Sequence, residues 1–164
     1  MKITVMVFLT VLLSVAPLFA IEYQVNVVRQ GGNLYWAETE KMYIQTKYCF
    51  ENFDTSAAIL RMDGDSGEIA FAKSGHKCAV KMIYGRTELK AGKYSIKVSR
   101  EDDNWYEIVA KKMALNTNGC LSLVENMQAI LQINADGTGV LSLSEADEEC
   151  QVDGVYSQGQ LQLQ

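Results

Sequence analysis

Apolar and polar residues alternate along several short stretches of the chain. Tyr23-Gln24-Val25-Asn26-Val27 and Tyr94-Ser95-Ile96-Lys97-Val98 place an apolar side chain at every second position, the period of a strand with one buried face. The stretches Met42 to Phe50, Ala57 to Met62, Glu68 to Ala72 and Cys78 to Tyr84 have the same texture and are separated by Gly, Asn, Asp and Ser. Gly64, Gly67 and Gly75, and later Asp136-Gly137-Thr138-Gly139, read as hairpin turns, where residues that tolerate tight backbone angles are needed. The pattern predicts an all-β protein.

The pattern also repeats. Shifted by 71 residues, Tyr23 meets Tyr94, Val27 meets Val98, Arg29 meets Arg100, Asn33 meets Asn104 and Tyr35 meets Tyr106. The register holds through Lys41 and Lys112, Met42 and Met113, Thr46 and Thr117, and Cys49 and Cys120, then through Ala58-Ile59-Leu60 against Ala129-Ile130-Leu131 and Asp65 against Asp136. One inserted residue raises the shift to 72, after which Gly67 meets Gly139, Cys78 meets Cys150, Val80 meets Val152 and Tyr84 meets Tyr156. Seventeen identities in order with one gap read as a tandem repeat, which bears on the whole fold. The expectation is two copies, residues 21–92 and 93–164, each a small β-barrel or sandwich of about five or six strands. Leu121, Val124 and Met127 hint at a helical stripe over 121–131, but the matching Phe53-Asp54-Thr55-Ser56 does not keep it. A loop or short helical turn is expected there.

Four cysteines allow three pairings. The repeat selects one of them, Cys49 with Cys78 and Cys120 with Cys150, because these are the equivalent pairs and close loops of nearly equal length. Each bridge is worth about 3–4 kcal/mol in the loop-entropy model, a large share for a small module. Ahead of the copies, Met1-Lys2 and the apolar run from Ile3 to Phe19 have the form of a secretory signal, with cleavage expected after Ala20. Pro17 and the polar alternation after Ile21 speak against a spanning helix, which needs ~20 apolar residues. A periplasmic or secreted protein without a membrane span after signal removal is expected, in a compartment that permits disulfides.

Without residues 1–20 the chain has 14 basic and 20 acidic residues, a balance of −6. General electrostatic binding of nucleic acid or anionic lipid is therefore not expected. The imbalance is local: residues 21–92 carry nine charges of each sign, whereas residues 93–164 carry five basic and eleven acidic ones. Glu145, Asp147, Glu148 and Glu149 cluster before Cys150 and form a candidate docking face for a basic partner. Aromatics diverge as well. Trp36, Tyr43 and Tyr48 stand where the second copy has Glu107, Ala114 and Gly119, and Phe50 and Phe53 stand against Leu121 and Val124. Trp36, Tyr43 and Tyr48 are candidate binding residues, on the expectation that aromatics so exchanged are partly exposed.

No catalytic, cofactor or metal site is expected. Asp54-Thr55-Ser56 and Asp65-Ser66-Gly67 resemble aspartic-protease loops, but they lie in one copy and the other does not rebuild them, so the two carboxylates such chemistry shares are not expected to meet. Asp63-Gly64-Asp65-Ser66-Gly67 resembles a calcium-loop start, yet Gly67 replaces an oxygen ligand and the twelfth position is Ser74. Ser74-Gly75-His76-Lys77 has a serine-x-x-lysine spacing without the partner motifs that chemistry uses. His76, the single histidine, reads as a solvated turn residue.

The stretch from Met42 to Val80, with Thr46-Lys47-Tyr48-Cys49, Ala58-Ile59-Leu60, Ile69-Ala70-Phe71 and Cys78-Ala79-Val80, resembles a module of small uncharacterised exported bacterial proteins. That resemblance implies a fold and no activity. Ser74-Gly75 is similar to the Ser-Gly pair with which periplasmic lysozyme inhibitors of the small disulfide-bearing β-barrel type block an enzyme cleft. The expectation is a non-catalytic exported protein that binds another macromolecule, a protein and a basic one, with an inhibitor of a cell-wall hydrolase or a structural envelope protein as alternatives.

Overall fold

A computed structural model describes residues 21–51, 54–64 and 66–159. The expected signal at 1–20, together with Phe53 and Asp65, lies outside the described residues. Among the described residues the fold is all-β, with twelve strands: β1 (Ile21–Arg29), β2 (Leu34–Ala37), β3 (Met42–Thr46), β4 (Ser56–Asp63), β5 (Ser66–Phe71), β6 (Lys77–Thr87), β7 (Gly92–Asp102), β8 (Trp105–Ile108), β9 (Met113–Asn118), β10 (Met127–Ile133), β11 (Gly139–Leu143) and β12 (Glu148–Gln158). Among the described residues no helix is long and apolar enough to cross a membrane.

The strands close into two antiparallel rings of six. The first runs β1-β2-β3-β6-β5-β4 and back to β1. The second runs β7-β8-β9-β12-β11-β10 and back to β7. Registers correspond at the shifts read from the sequence: Tyr23 faces Leu60 as Tyr94 faces Leu131, and Ile69 faces Cys78 as Leu141 faces Cys150. Closure pairs the strand edges that an open sheet would expose.

Alternation fills each ring. In β1, Val25 and Val27 are buried while Gln24 and Asn26 face water, and Ala129, Leu131 and Ile133 do the same in β10. One core gathers Tyr35, Ile44, Leu60, Ile69 and Phe71, and a second gathers Tyr106, Leu115, Leu131, Leu141 and Leu143. Both expected disulfides form, Cys49–Cys78 and Cys120–Cys150, with Cα atoms 5.7 and 5.2 Å apart, within the usual range for a bridge. Residues 119–126 form a loop without helix. Three strands depart from expectation. The strand expected from Met42 to Phe50 stops at Thr46, because Tyr48 turns into the left-handed region at φ 52°. Strands β2 and β8, only four residues each, were hidden from alternation because three of four positions in each are buried.

The rings meet along their last strands. Gly85 faces Ser157, flanked by Tyr84 opposite Gln158 and Arg86 opposite Tyr156. At the shift of 72 these pairs exchange with one another, so the contact is self-complementary about Gly85 and Ser157. On one side of it the outer faces of the barrels press together, burying Leu34, Tyr43, Tyr84, Trp105, Ala114 and Tyr156, with Trp36 and Met82 at the margin. Trp105 sits 4.8, 5.2 and 5.4 Å from the rings of Tyr43, Tyr84 and Tyr156, spacings at which tilted aromatic pairs attract. A third contact ties turn to turn. The Asp102 carboxylate accepts from the Gly32 and Asn33 N–H groups, both at 2.6 Å, and Gly31 packs so close that a Cβ there would lie 2.5 Å from the carboxylate.

This junction corrects the reading of one aromatic, Tyr43, and leaves Trp36 partly exposed as expected. Tyr43, expected to be partly exposed, is only 6 % exposed, and its hydroxyl accepts from Asn116 Nδ2 of the other barrel at 3.1 Å. Trp36 is half-buried and packs on Tyr43 at 4.7 Å. Tyr43 serves the neighbouring barrel, since a module that packs on another has a second buried face that sequence alternation cannot tell from an exposed one.

Candidate functional site

Among the described residues, two equivalent loops carry the most exposed large apolar side chains, Tyr48, Phe50, Leu121 and Leu123, with Ile21 and Val109 exposed elsewhere. Each loop follows the third strand of its barrel, begins at a left-handed residue, Tyr48 at φ 52° or Gly119 at φ 80°, and is tied down by a bridge at the next residue. A buried tyrosine pins each loop from inside: the Tyr35 hydroxyl donates to Cys49 O at 3.3 Å and accepts from Glu51 N at 3.2 Å, and the Tyr106 hydroxyl donates to Ser122 O at 2.9 Å. Burial is the largest influence on both phenols and raises their pKa, which keeps them as neutral donors.

Across each bridge the pin differs in chemistry. In the first barrel Glu51 Oε1 meets His76 Nδ1 at 2.5 Å. In the second, the equivalent of His76 is Glu148, whose carboxylate accepts from Leu121 N at 2.8 Å and Ser122 N at 3.0 Å. Hydrogen bonding from Ser122 foremost, then from the Leu121 N–H, lowers the Glu148 pKa. Arg100 Nη1 donates to Leu121 O at 2.7 Å from the other side. With its backbone so held, the second loop points Leu121 and Leu123 into water, Leu123 being 86 % exposed. The first loop does the same with Phe50 and with Tyr48, which is 90 % exposed.

The acidic turn lies beside the second loop. Glu145 and Asp147 are exposed, Glu149 accepts from Ser142 Oγ at 3.0 Å, and Glu148 is engaged with the loop as described. Apolar and acidic groups thus share one neighbourhood. Among the described residues, Cys120, Glu148 and Cys150 offer ligand atoms close enough together for a metal ion, but both sulfurs are in a bridge and only a thiolate ligates. Ser74 and Gly75 form the exposed tip of the β5–β6 turn, with Gly75 at φ 70° and Ser74 Oγ accepting from His76 N at 3.1 Å. Asp54 and Thr55 are an exposed bend before β4, where Asp54 lines an open cleft together with Arg29 and Asp103, and Asp63 ends that strand.

The sequence reading missed a cleft between the barrels. Gln45, Lys47, Tyr48 and Lys81 of the first barrel and Glu101 of the second line a space of about 360 Å³. Lys81 is the extra residue of a β-bulge: Thr46 faces Val80 and Gln45 faces Met82, which skips it, as Asp153 is skipped in the second barrel. Bulges re-aim a side chain, and here the Lys81 ammonium reaches Glu101 at 2.7 Å and Glu107 at 3.6 Å. Burial works against its charge, but hydrogen bonding to Glu101 and the two carboxylates together raise its pKa. The signal that could have found it was the difference between Lys81 and Asp153, and between Glu101 and Gln30, at positions that match under the sequence offset.

No family model, curated protein or solved structure matches this chain.

Proposed function

We propose that this is an exported, non-catalytic protein that docks another protein through its two disulfide-anchored loops, and that its barrels arose by duplication of one module. The observation that carries the docking reading is the outward aim of Phe50, Leu121 and Leu123 from loops whose backbones are pinned. A pinned loop loses little further entropy on binding, so its apolar side chains are preorganised for a partner. The acidic turn beside Leu121 fits a basic partner, and the two disulfides are compatible with an oxidising compartment outside the cytosol. Co-purification from that compartment, with the intact protein and with Phe50→Ser/Leu121→Ser/Leu123→Ser compared, tests the reading. A partner retained by the former and lost by the latter is expected. The same partners on both, or turnover of an ester, peptide or glycan substrate abolished by one carboxylate substitution, would sink it.

The exposed tip at Ser74 and Gly75 favours a second reading, inhibition of a cell-wall hydrolase. Stoichiometric loss of lysozyme activity on titration, relieved by lengthening that turn, would select it over loop docking.

A further inference from the structure

The cleft between the barrels has features that its role in joining them does not explain. Gln45 lies on the outer face of β3, opposite Leu34 on one side and Met82 on the other. It is only 3 % exposed, and its Oε1 meets no hydrogen-bond donor among the described residues. Its counterpart, Asn116, is used in the junction by donating to Tyr43. A buried carboxamide with one end unmet is costly unless something polar comes to it. A hydroxyl is suited to that task, since it can donate to an oxygen or accept from an amide nitrogen whichever way the carboxamide is turned.

Tyr48 forms the apolar wall. A bulky residue in the left-handed region is a backbone outlier, and the second copy places Gly119 there. Its ring is almost wholly in water, so packing does not offset that strain. Retained strain of this kind clusters at ligand sites. The Lys81–Glu101 pair, one residue from each barrel, lines the same cleft, together with Lys47 and Asn33. Cationic and anionic groups are both present, which disfavours a simple anion such as phosphate. A flat apolar ring and paired polar groups lining one cleft suit a ligand with a C–H face on one side and hydroxyls on the other.

We infer that this cleft binds a neutral saccharide, with a pyranose ring stacked on Tyr48, its hydroxyls meeting the Gln45 carboxamide and bridging Lys81 and Glu101. The space is at the lower end of ordinary small-molecule pockets, ~300–1,000 Å³, and suits a short segment of sugar rather than a long chain. The site shares Tyr48 with the first docking loop, but none of Phe50, Leu121 and Leu123 lines it, so the two readings are separable by substitution.

The test is calorimetric titration of the intact protein with diacetylchitobiose, cellobiose and maltose, with inorganic phosphate and glucuronate as charged probes. At least one neutral disaccharide is expected to bind. Its affinity should fall tenfold or more in Gln45→Leu and in Tyr48→Gly, and stay unchanged in Phe50→Ser/Leu121→Ser. Both variants that remove the site should melt no lower than the parent, since one removes an unmet polar group and the other a strained residue, so lost binding reports on the site and not on unfolding. Absence of binding by all three disaccharides overturns the proposal, as does binding that survives both variants or preferential binding of phosphate or glucuronate. Loss of the protein partner with sugar binding intact would remove the docking reading alone.

Discussion

At the junction, Tyr43 of the first barrel is buried against Trp105 of the second, while Ala114, the counterpart of Tyr43, is buried with nothing beyond its methyl. Leu34 stands against Trp105 in the same way, Met82 against Gly154, and Trp36 against Glu107. Of the outer-face residues, only Tyr84 and Tyr156 keep one identity in both barrels. Inside the barrels the correspondence is far closer, with matched registers, matched bridges and a tyrosine pinning each loop. A barrel core needs only the right volume within its own ring. A contact between two related surfaces cannot put two large side chains in one space, so bulk must move from one surface to the other.

The sharpest test of this contrast is Trp105→Ala. With no exposed surface and aromatic neighbours from both barrels, its loss should cost about 3–5 kcal/mol in urea unfolding. Leu34→Ala, at the equivalent place, should cost about 2–3 kcal/mol, and equal costs would mean that the junction is not asymmetric in energy. The bridges should behave oppositely. Cys49→Ser/Cys78→Ser and Cys120→Ser/Cys150→Ser close loops of nearly equal separation, 29 and 30 residues, and each pair of substitutions should cost about 3–4 kcal/mol. Ala114→Tyr should cost about 1–3 kcal/mol by overfilling the junction, and adding Tyr43→Ala should recover part of that loss. If the double variant is no better than the sum of the single ones, the two positions do not share one space.

Smaller effects separate the loops. Tyr48→Gly should stabilise the protein by up to about 1 kcal/mol by relieving the left-handed backbone, and Gly119→Tyr should destabilise it by about 1 kcal/mol. In the second loop, Glu148 has a lowered pKa in the folded protein. Its contribution is therefore present above its unfolded value, ~4.3, and is lost as pH falls below that through the folded value. Amide exchange at Leu121 and Ser122 should quicken over that acidic window, and Glu148→Gln should remove the pH dependence. The group is half-buried at the surface and screened by solvent, so the effect on global stability should be slight.

Much of this architecture was legible in the residues because period-two alternation and a constant offset act over many positions at once. Cys49 with Cys78 and Cys120 with Cys150 followed from the offset, and Tyr23 to Val27 from alternation. What touches across the junction was not legible. Tyr43 and Tyr48 looked alike as aromatics exchanged for small residues, yet one is buried between barrels and the other stands in water. Asp102 showed nothing in sequence of its reach to Gly32 and Asn33, 70 and 69 residues away. The cleft was hidden for the same reason, since Gln45, Lys81 and Glu101 meet only once the barrels have docked.

The facing of Gly85 and Ser157 at the centre of the β6–β12 contact gives the molecule a means of telling its halves apart. Two first barrels arranged about that point would bring two copies of Tyr43 and no Trp105, and two second barrels two copies of Trp105 and no Tyr43, so neither reproduces the packing of Tyr43 on Trp105. Only the mixed pair does so. The short connector, residues 88–91 between β6 and β7, keeps that mixed pair in a fixed one-to-one ratio. Exchange of halves between molecules, the route by which tandem repeats entangle as they fold, therefore gains nothing in the like-with-like combinations.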